Sequence, residues 1–231
     1  MAKRPVFLPN LNGDIGVTTK DVSFTWFAGF AKSQKQKSID SLHEAAAQFG
    51  YSPILEISSK SLEEIGVLLS AFNLNITTRK FHTKFNVESA FQGSKVFENG
   101  GPYKDIIGKS AREAKKDERL KSSGRVLGFE FFGEEFPSLP RTAFYDWLYI
   151  NALQQNEHLA KKLLSFSGFT DIEFNPEKSI NCQAHSAALY VSLVNSGVDL
   201  DSLSSANNFL TLIKNSNTES IGNGQRQQSL M

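Results

Sequence analysis

Apolar positions recur with helical spacing along several stretches of the chain and with strand spacing along others. Residues 22–30 alternate apolar and polar side chains at their start, which predicts a strand with one buried face. Ser38 is expected to cap a helix that Gly50 ends. The predicted inward residues of this helix are Ile39, Leu42, Ala46 and Phe49. The longest helical pattern covers residues 141–166, and a final helix is predicted over 181–194. This mixture predicts an α+β fold: a helix-rich single domain with a small sheet.

Residues 86–97, reading NVESAFQGSKVF, predict an amphipathic helix with Asn86 as its N-cap. Glu88 and Lys95 are seven positions apart, so on a helix they project in nearly the same direction, about 10 Å apart along the axis. That separation is too long for an i,i+4 ion pair, so both groups can point into a cleft beside the core. Gln92 lies one turn beyond Glu88 on the same border. Taken alone, this pattern also describes charges in solvent on the margin of a helix.

The same stretch carries a family resemblance, together with LLSAFNL at 68–74 and DIEFNPEKSINCQAHSAALYVSL at 171–193. These segments resemble the NADAR superfamily. The segments FTWFAGFAKSQKQKSIDSLHEAA, GGPYKDI, GFEFFGEEFPSLP and FYDWLYINAL are similar to one branch of it, the antitoxins found beside DarT-type toxins that ADP-ribosylate guanine in DNA. The resemblance covers about residues 4–197. It departs from the family at Ala71, where Asn is usual, and in lacking a glycine- and tryptophan-rich turn before the last helix.

The resemblance implies a hydrolase that removes ADP-ribose from guanine bases in DNA and acts as an antitoxin to a DarT-type toxin. Glu88 would be the general acid and base, and Lys95 a nucleophile that forms an imine with the ribose. Alternatively, Glu88 activates water and Lys95 only anchors the ribose hydroxyls. Lys35, in a run specific to the antitoxin-like branch, is a second candidate for direct chemistry. A bulky adduct favours single-stranded DNA or a flipped nucleotide as substrate.

Further residues are expected to contact the two parts of this substrate. The predicted ADP-ribose-binding residues are Ser70, Asn73, Gln92, Tyr103, Glu173 and Asn181. Cap or turn hydrogen bonds are the alternative role for Ser70 and Asn73, and simple side-chain contact is the alternative for Tyr103. The predicted DNA contacts are Lys32, Lys37, Lys109, Arg112 and Lys116, because clustered cations at helix starts and on a surface helix attract phosphate.

Charge is distributed unevenly, although the formal net charge is only +1. Residues 1–125 contain 19 basic and 13 acidic residues, whereas residues 126–231 contain 6 and 11. Residues 109–125 alone carry a net charge of +4, which suits either a charged surface segment or an arm that follows phosphates. The basic half is therefore the end expected to meet nucleic acid.

Domain limits follow from the pattern and the resemblance together. Residues 1–197 are predicted to form the NADAR-like domain, 198–214 a terminal helix, and 215–231 a polar tail that is disordered. The single cysteine, Cys182, excludes an intrachain disulfide framework and argues against zinc. We expect a cytoplasmic protein with no cofactor and no metal. Apolar runs fall short of the ~20 residues that span a bilayer, and the N-terminus has no long apolar segment typical of a signal peptide.

Three other functions share parts of this pattern. A non-catalytic ADP-ribose reader needs the same pocket without lysine chemistry, and a toxin-masking antitoxin needs no turnover. An N-glycosidase of a small metabolite would ignore DNA adducts. The chain has no dinucleotide fingerprint, P-loop, serine nucleophile elbow or two-histidine metal motif, so the common hydrolase and nucleotide folds lack support.

Overall fold

The computed structural model describes residues 1–78 and 82–216, and these form an α+β single domain with small sheets, as predicted. The strands are β1 (Ala2–Pro9), β2 (Val17–Phe24), β3 (Ile54–Glu56), β4 (Asn75–Thr77), β5 (Lys84–Asn86), β6 (Lys95–Phe97), β7 (Val126–Phe131), β8 (Glu134–Pro137) and β9 (Gly168–Thr170). The α-helices are α1 (Lys32–Ala47), α2 (Glu64–Leu68), α3 (Val87–Gly93), α4 (Ala111–Lys116), α5 (Arg119–Ser122), α6 (Ala143–Gln155), α7 (Glu157–Leu163) and α8 (Gln183–Asn195).

The largest sheet has the order β2-β1-β9-β3, and it separates two hydrophobic clusters. Successive side chains of a strand point to opposite faces, so Val6 packs in a small cluster with α1 while Phe7 packs in the main core with α6 and α8. Ile54 and Leu55 divide in the same way. β3 pairs parallel to β9, with Glu56 opposite Thr170. This pairing sets the start of the 171–182 segment beside the end of β3.

The prediction of a single helix over 86–97 is wrong, because α3 ends at Gly93 and Lys95 lies in β6. Ser94 Oγ donates to the Ala90 carbonyl at 2.8 Å, which satisfies the last helical turn. The backbone at Gly93 passes so close to Ile107 that a Cβ there would lie 2.6 Å from its Cγ1. Lys95 then pairs with Phe129 of β7, which orients β6 along the three-stranded sheet β6-β7-β8.

Other predicted boundaries also move. The strand predicted over 22–30 ends at Phe24. Ser38 does not cap α1 but lies inside it, where its Oγ accepts from Phe27 N at 2.9 Å. Ile39, Leu42 and Ala46 are buried as expected, whereas Phe49 is exposed.

The long helix predicted over 141–166 is interrupted at Asn156, between α6 and α7. The Asn156 amide donates to the Asn75 carbonyl at 2.8 Å and so fastens this break to β4. Towards the C-terminus, Asp201–Ser204 form a 3-10 turn and residues 206–216 are helical, while most of the predicted disordered tail lies outside the described residues. Along the described chain, no helix is both long and apolar enough to cross a membrane.

Candidate active site

A cavity of about 970 Å³ opens between α3, β6, the 70–72 turn and the segment that leads from β9 into α8. Its volume is near the upper end of the ~300–1,000 Å³ typical of ligand pockets. The cavity brings together residues that are far apart in sequence. The predicted site residues that line it are Ser70, Glu88, Gln92, Lys95, Glu173 and Asn181.

The first turn of α3 fixes Glu88 in the cavity wall. The Asn86 side chain accepts from Ser89 N at 2.8 Å, so Asn86 is the N-cap, as predicted. The backbone N–H of Glu88 donates to the Ala71 carbonyl at 2.9 Å, which ties the helix start to the 70–72 turn. The Glu88 side chain is buried apart from its cavity face. A carboxylate is therefore held at a defined place beside the cavity.

Glu88 and Lys95 are joined by the Gln92 side chain. Gln92 Nε2 donates to Glu88 Oε1 at 2.9 Å, and Lys95 Nζ donates to Gln92 Oε1 at 2.7 Å. The amide orientation follows from its partners, because an ammonium group can only donate and a carboxylate can only accept. The acid and the amine thus share one hydrogen-bonded chain in place of the predicted two-turn separation on one helix.

Lys95 is partly desolvated in this position. Burial lowers the pKa of Lys95 to about 8; the Glu88 carboxylate opposes that shift, and the nearby Lys115 adds to it. Lys95 Nζ also lies 4.8 Å from the centre of the Phe91 ring. A lysine with this pKa is neutral in about one molecule in ten at pH 7.

A second pair of carboxyl groups lies at the end of the β3–β9 pairing: Asp171 lines the cavity, and Glu56 is buried behind it. Burial and the neighbouring Glu56 raise the pKa of Asp171 to about 8. Asp171 Oδ1 accepts from the backbone N–H of Glu173 at 3.0 Å and so shapes the turn after β9. Glu56 Oε1 accepts from Ile172 N at 2.9 Å. These two acids position the segment that presents Glu173 and Asn181.

Gln183, at the start of α8, fastens three cavity segments. Its Nε2 donates to the Ile57 carbonyl at 2.6 Å and to Asp171 Oδ2 at 3.0 Å, while its Oε1 accepts from Ala71 N at 2.7 Å. Close by, Asn181 Oδ1 is enclosed yet has no hydrogen-bond partner in the described parts of the chain. An enclosed acceptor without a donor is unfavourable, and a ligand could donate to this oxygen only if the Asn181 side chain turned towards the cavity.

Cations and exposed apolar side chains surround the mouth of the cavity. Arg141 and Lys178 line it, and neither has a carboxylate within 4.0 Å among residues 1–78 and 82–216. Lys115 Nζ lies 4.0 Å from Glu88 Oε1 and 5.5 Å from the centre of the exposed Phe72 ring. Arg125, also at the mouth, is bound by Glu98 at 2.6 Å. The arrangement suits a polyanion that also offers flat rings.

The family model of DarT1-associated NADAR antitoxins matches residues 2–222 of the chain. The chain belongs to this family. That assignment confirms the resemblance read from the sequence, supports an antitoxin role and suggests a DarT toxin as partner. A search of curated proteins found no match.

In this NADAR antitoxin, Lys35 does not reach the cavity. It lies on α1, packed against the small cluster, with Nζ 4.3 Å from the centre of the Trp26 ring. Asn73 also lies outside the cavity lining, and its amide donates to the Val67 carbonyl at 2.9 Å. Ser70 donates to the same carbonyl at 2.7 Å while lining the cavity. The turn hydrogen bonds expected as the alternative role for Ser70 and Asn73 are thus present.

Tyr103 and most of the predicted DNA contacts lie elsewhere on the surface of the antitoxin. Tyr103 is not in the cavity wall; its hydroxyl pairs with Ser123 Oγ at 2.5 Å. Lys109 is held by Asp117 at 2.9 Å and Asp105 at 3.6 Å, so internal carboxylates already neutralise it. The remaining predicted DNA contacts are exposed and outside the cavity lining: Lys32, Lys37, Arg112 and Lys116.

Sequence reasoning missed several cavity residues. Asp171 and Gln183 lie within the closing segment that carries the family resemblance. Their side chains bond to the cavity segments only because β3 pairs with β9. Tyr145 lies in an apolar helical pattern that predicts core residues, and Lys115 lies in a charged segment that predicts a solvated surface. Within the described ranges, no group of three or more His, Cys, Asp or Glu side chains is placed to hold a metal ion.

Proposed function

We propose that this antitoxin is a hydrolase that removes ADP-ribose from guanine bases in DNA. The observation that carries the proposal is the Glu88–Gln92–Lys95 chain, which presents an acid and a desolvated amine to one large cavity. Cleaving an N-glycosidic bond needs a nucleophile for the sugar carbon and a proton for the departing base. Glu88 and Lys95 supply both from adjoining positions.

In the first route, neutral Lys95 Nζ attacks C1 of the ribose while the bond from C1 to the guanine nitrogen breaks. Glu88 gives its proton to the departing guanine. The ribose ring then opens as nitrogen forms an imine with C1, and the proton lost from nitrogen returns to the ring oxygen. Water adds to the imine with Glu88 as base; the new C1 hydroxyl then gives its proton to nitrogen as the C1–Nζ bond breaks, which releases ADP-ribose and restores the amine.

In the second route, Glu88 takes a proton from water as the water attacks C1 directly and passes that proton to the departing guanine, while Lys95 anchors the ribose hydroxyls. The 2.7 Å bond from Lys95 to Gln92 suits an ammonium donor, whereas the lowered pKa of Lys95 suits a nucleophile. The desolvated position of Lys95 favours the first route. Borohydride reduction during turnover separates the two, because only the first route forms an imine that reduction can trap.

The DNA strand is proposed to cross the mouth of the cavity. Phe72 offers a face for stacking with a base, while Lys115, Arg141 and Lys178 are placed for phosphates. Such a surface suits single-stranded DNA or a nucleotide flipped out of a duplex, because the modified base must enter the cavity. It replaces the predicted surface around Lys109, whose charge is already paired.

The deciding experiment incubates the purified protein with oligonucleotides that carry ADP-ribose on guanine or on thymine. We expect release of free ADP-ribose from guanine only, and loss of release in E88Q. Binding without release would instead identify a non-catalytic reader. Co-purification of a DarT toxin with both wild type and E88Q, without release, would identify a masking antitoxin, and turnover of small N-glycosides alone would identify a metabolite glycosidase.

A further inference from the structure

Two tyrosines on α6 occupy similar surroundings but differ at their hydroxyl groups. Tyr145 and Tyr149 are one turn apart, stacked with ring centres 6.5 Å apart, and 6% and 0% exposed. The Tyr149 hydroxyl donates to the Leu69 carbonyl at 2.7 Å. The Tyr145 hydroxyl has no hydrogen-bond partner within residues 1–78 and 82–216, and Tyr145 lines the cavity.

A hydroxyl that no protein group satisfies, at the edge of a ligand-sized cavity, is available to bond to whatever fills that cavity. The Tyr145 ring has little freedom to turn away, because it meets the Phe91 ring edge-on at 5.1 Å and stacks on Tyr149. The hydroxyl is not among the enclosed unpartnered atoms of the described chain, which are Arg4 Nε and Asn181 Oδ1. Its remaining open surface therefore faces the cavity.

The ring of Tyr145 lies against Phe91 of α3, the helix that also carries Glu88. Burial first, and then the charge of Glu88, raise the pKa of Tyr145 well above its usual value. The phenol accordingly stays protonated and acts as a hydrogen-bond donor, not as a base. A ligand group that meets it must offer an acceptor oxygen or nitrogen.

We propose that the Tyr145 hydroxyl binds the substrate by donating a hydrogen bond to an oxygen of the ribose whose C1 carries the base. This inference rests on the proposed function, because that ribose is the part of the substrate that must meet Glu88 and Lys95 together. The sugar's oxygens supply acceptors, and its carbon face can lie against Phe91, which lines the same wall. Tyr145 thereby orients the sugar and does not itself transfer a proton.

The test compares Y145F with Y149F, which remove one hydroxyl each from neighbouring turns of the same helix. Three quantities are measured for each variant and wild type: the thermal unfolding midpoint, the affinity for free ADP-ribose by calorimetry, and kcat/KM on an oligonucleotide ADP-ribosylated on guanine. Y145F should keep the wild-type midpoint and lose about tenfold in affinity and in kcat/KM. Y149F should unfold roughly 3 °C lower, because it loses a buried hydrogen bond, and should keep wild-type affinity at low temperature.

Each other outcome bears on the inference. Unchanged affinity and turnover in Y145F would overturn it, as would a loss of stability in Y145F equal to that in Y149F, since the hydroxyl would then have an internal partner. If wild type binds ADP-ribose without releasing it from DNA, and Y145F weakens that binding, the inference stands while the hydrolase proposal fails. If the wild-type protein neither binds ADP-ribose nor releases it from DNA, both the Tyr145 inference and the hydrolase proposal fail.

Discussion

Lys95 and Lys35 each hold an ammonium group over an aromatic ring, at 4.8 Å from the centre of Phe91 and 4.3 Å from that of Trp26. Their surroundings differ. Lys95 lines the cavity, is linked through Gln92 to a buried carboxylate and has its pKa lowered to about 8. Lys35 lies on α1 outside the cavity, and a second cation, Arg4, lies 5.4 Å from the centre of the same Trp26 ring. A lysine–aromatic contact alone therefore does not distinguish the two lysines; desolvation beside an acid does, and it marks Lys95 as the candidate for chemistry.

The largest effect on turnover is expected from removing the Lys95 amine, with removal of the Lys35 amine as the control. K95A should lower single-turnover release of ADP-ribose by about 10³-fold, because it removes the nucleophile, whereas K35A should stay within about twofold of wild type. Borohydride added during turnover should leave a reduced adduct on Lys95, visible by peptide mass. An adduct on Lys35, or wild-type release by K95A, would show that Lys95 is not the nucleophile.

The next largest effect on turnover is expected from Glu88, the acid of the Glu88–Gln92–Lys95 hydrogen-bonded chain. E88Q should lower turnover by roughly 10²-fold through loss of proton transfer, while ADP-ribose affinity changes little because an amide has nearly the same shape. E173Q is the matched variant, since Glu173 lines the same cavity without a hydrogen bond or ion pair to Gln92 or Lys95 among the described residues. We expect it to retain the wild-type rate of release at saturating substrate. An equal loss of turnover in E88Q and E173Q would show that Glu88 is not the acid of the reaction.

The pH dependence sharpens the comparison further. If Lys95 attacks as a neutral amine, its neutral fraction rises about tenfold per pH unit below 8 and levels off above it, because its pKa is about 8. In the first route kcat/KM should follow this rise over the pH range in which Glu88 keeps the proton that it gives to guanine. If Lys95 only anchors the sugar as an ammonium, kcat/KM should fall above pH 8 instead. The rising limb is expected to keep the wild-type midpoint in K35A. A midpoint that moves in K35A would link that lysine to the chemistry.

The smallest effect concerns lysines at the surface. Removing Lys178, which lacks an internal carboxylate partner among the described residues, should reduce the salt dependence of single-stranded DNA binding by about one unit in the log–log slope. K109A should leave the slope unchanged, because Asp117 and Asp105 already pair with Lys109. Fluorescence anisotropy at several salt concentrations measures both. A larger change for K109A would restore the surface predicted from the sequence.

Local chemistry made part of this arrangement predictable. The Asn86 cap, the buried stripe of α1 and the acid and amine of residues 86–97 follow from residue types and spacing, and the wider assignment followed from the family resemblance. The end of α3 did not, because Ser94 continues the helical stripe in sequence. Only the approach of Ile107 to Gly93 and the pairing of β6 with β7 take the chain out of the helix.

The rest of the cavity depends on contacts between distant segments. Asp171 reaches the wall because β9 pairs with β3, and Tyr145 lines it because α6 packs across α3. Neither carries a local signal: one resembles a turn acid and the other a core aromatic residue. Lys35 shows the reverse case, since its basic and aromatic neighbourhood resembles a binding site while the fold places it outside the cavity lining.

The Gln92 amide has a consequence for how the site resets after each reaction. An amide that donates at one end and accepts at the other does not readily hand a proton across, so Lys95 cannot directly reprotonate Glu88. In the proposed reaction, the proton that Glu88 gives to guanine therefore returns from the attacking water, which enters by the open side of the cavity, and not from Lys95. If the antitoxin is the proposed hydrolase, a product or inhibitor that blocks the opening would keep this water out and leave Glu88 without its proton, even with Glu88 and Lys95 both intact.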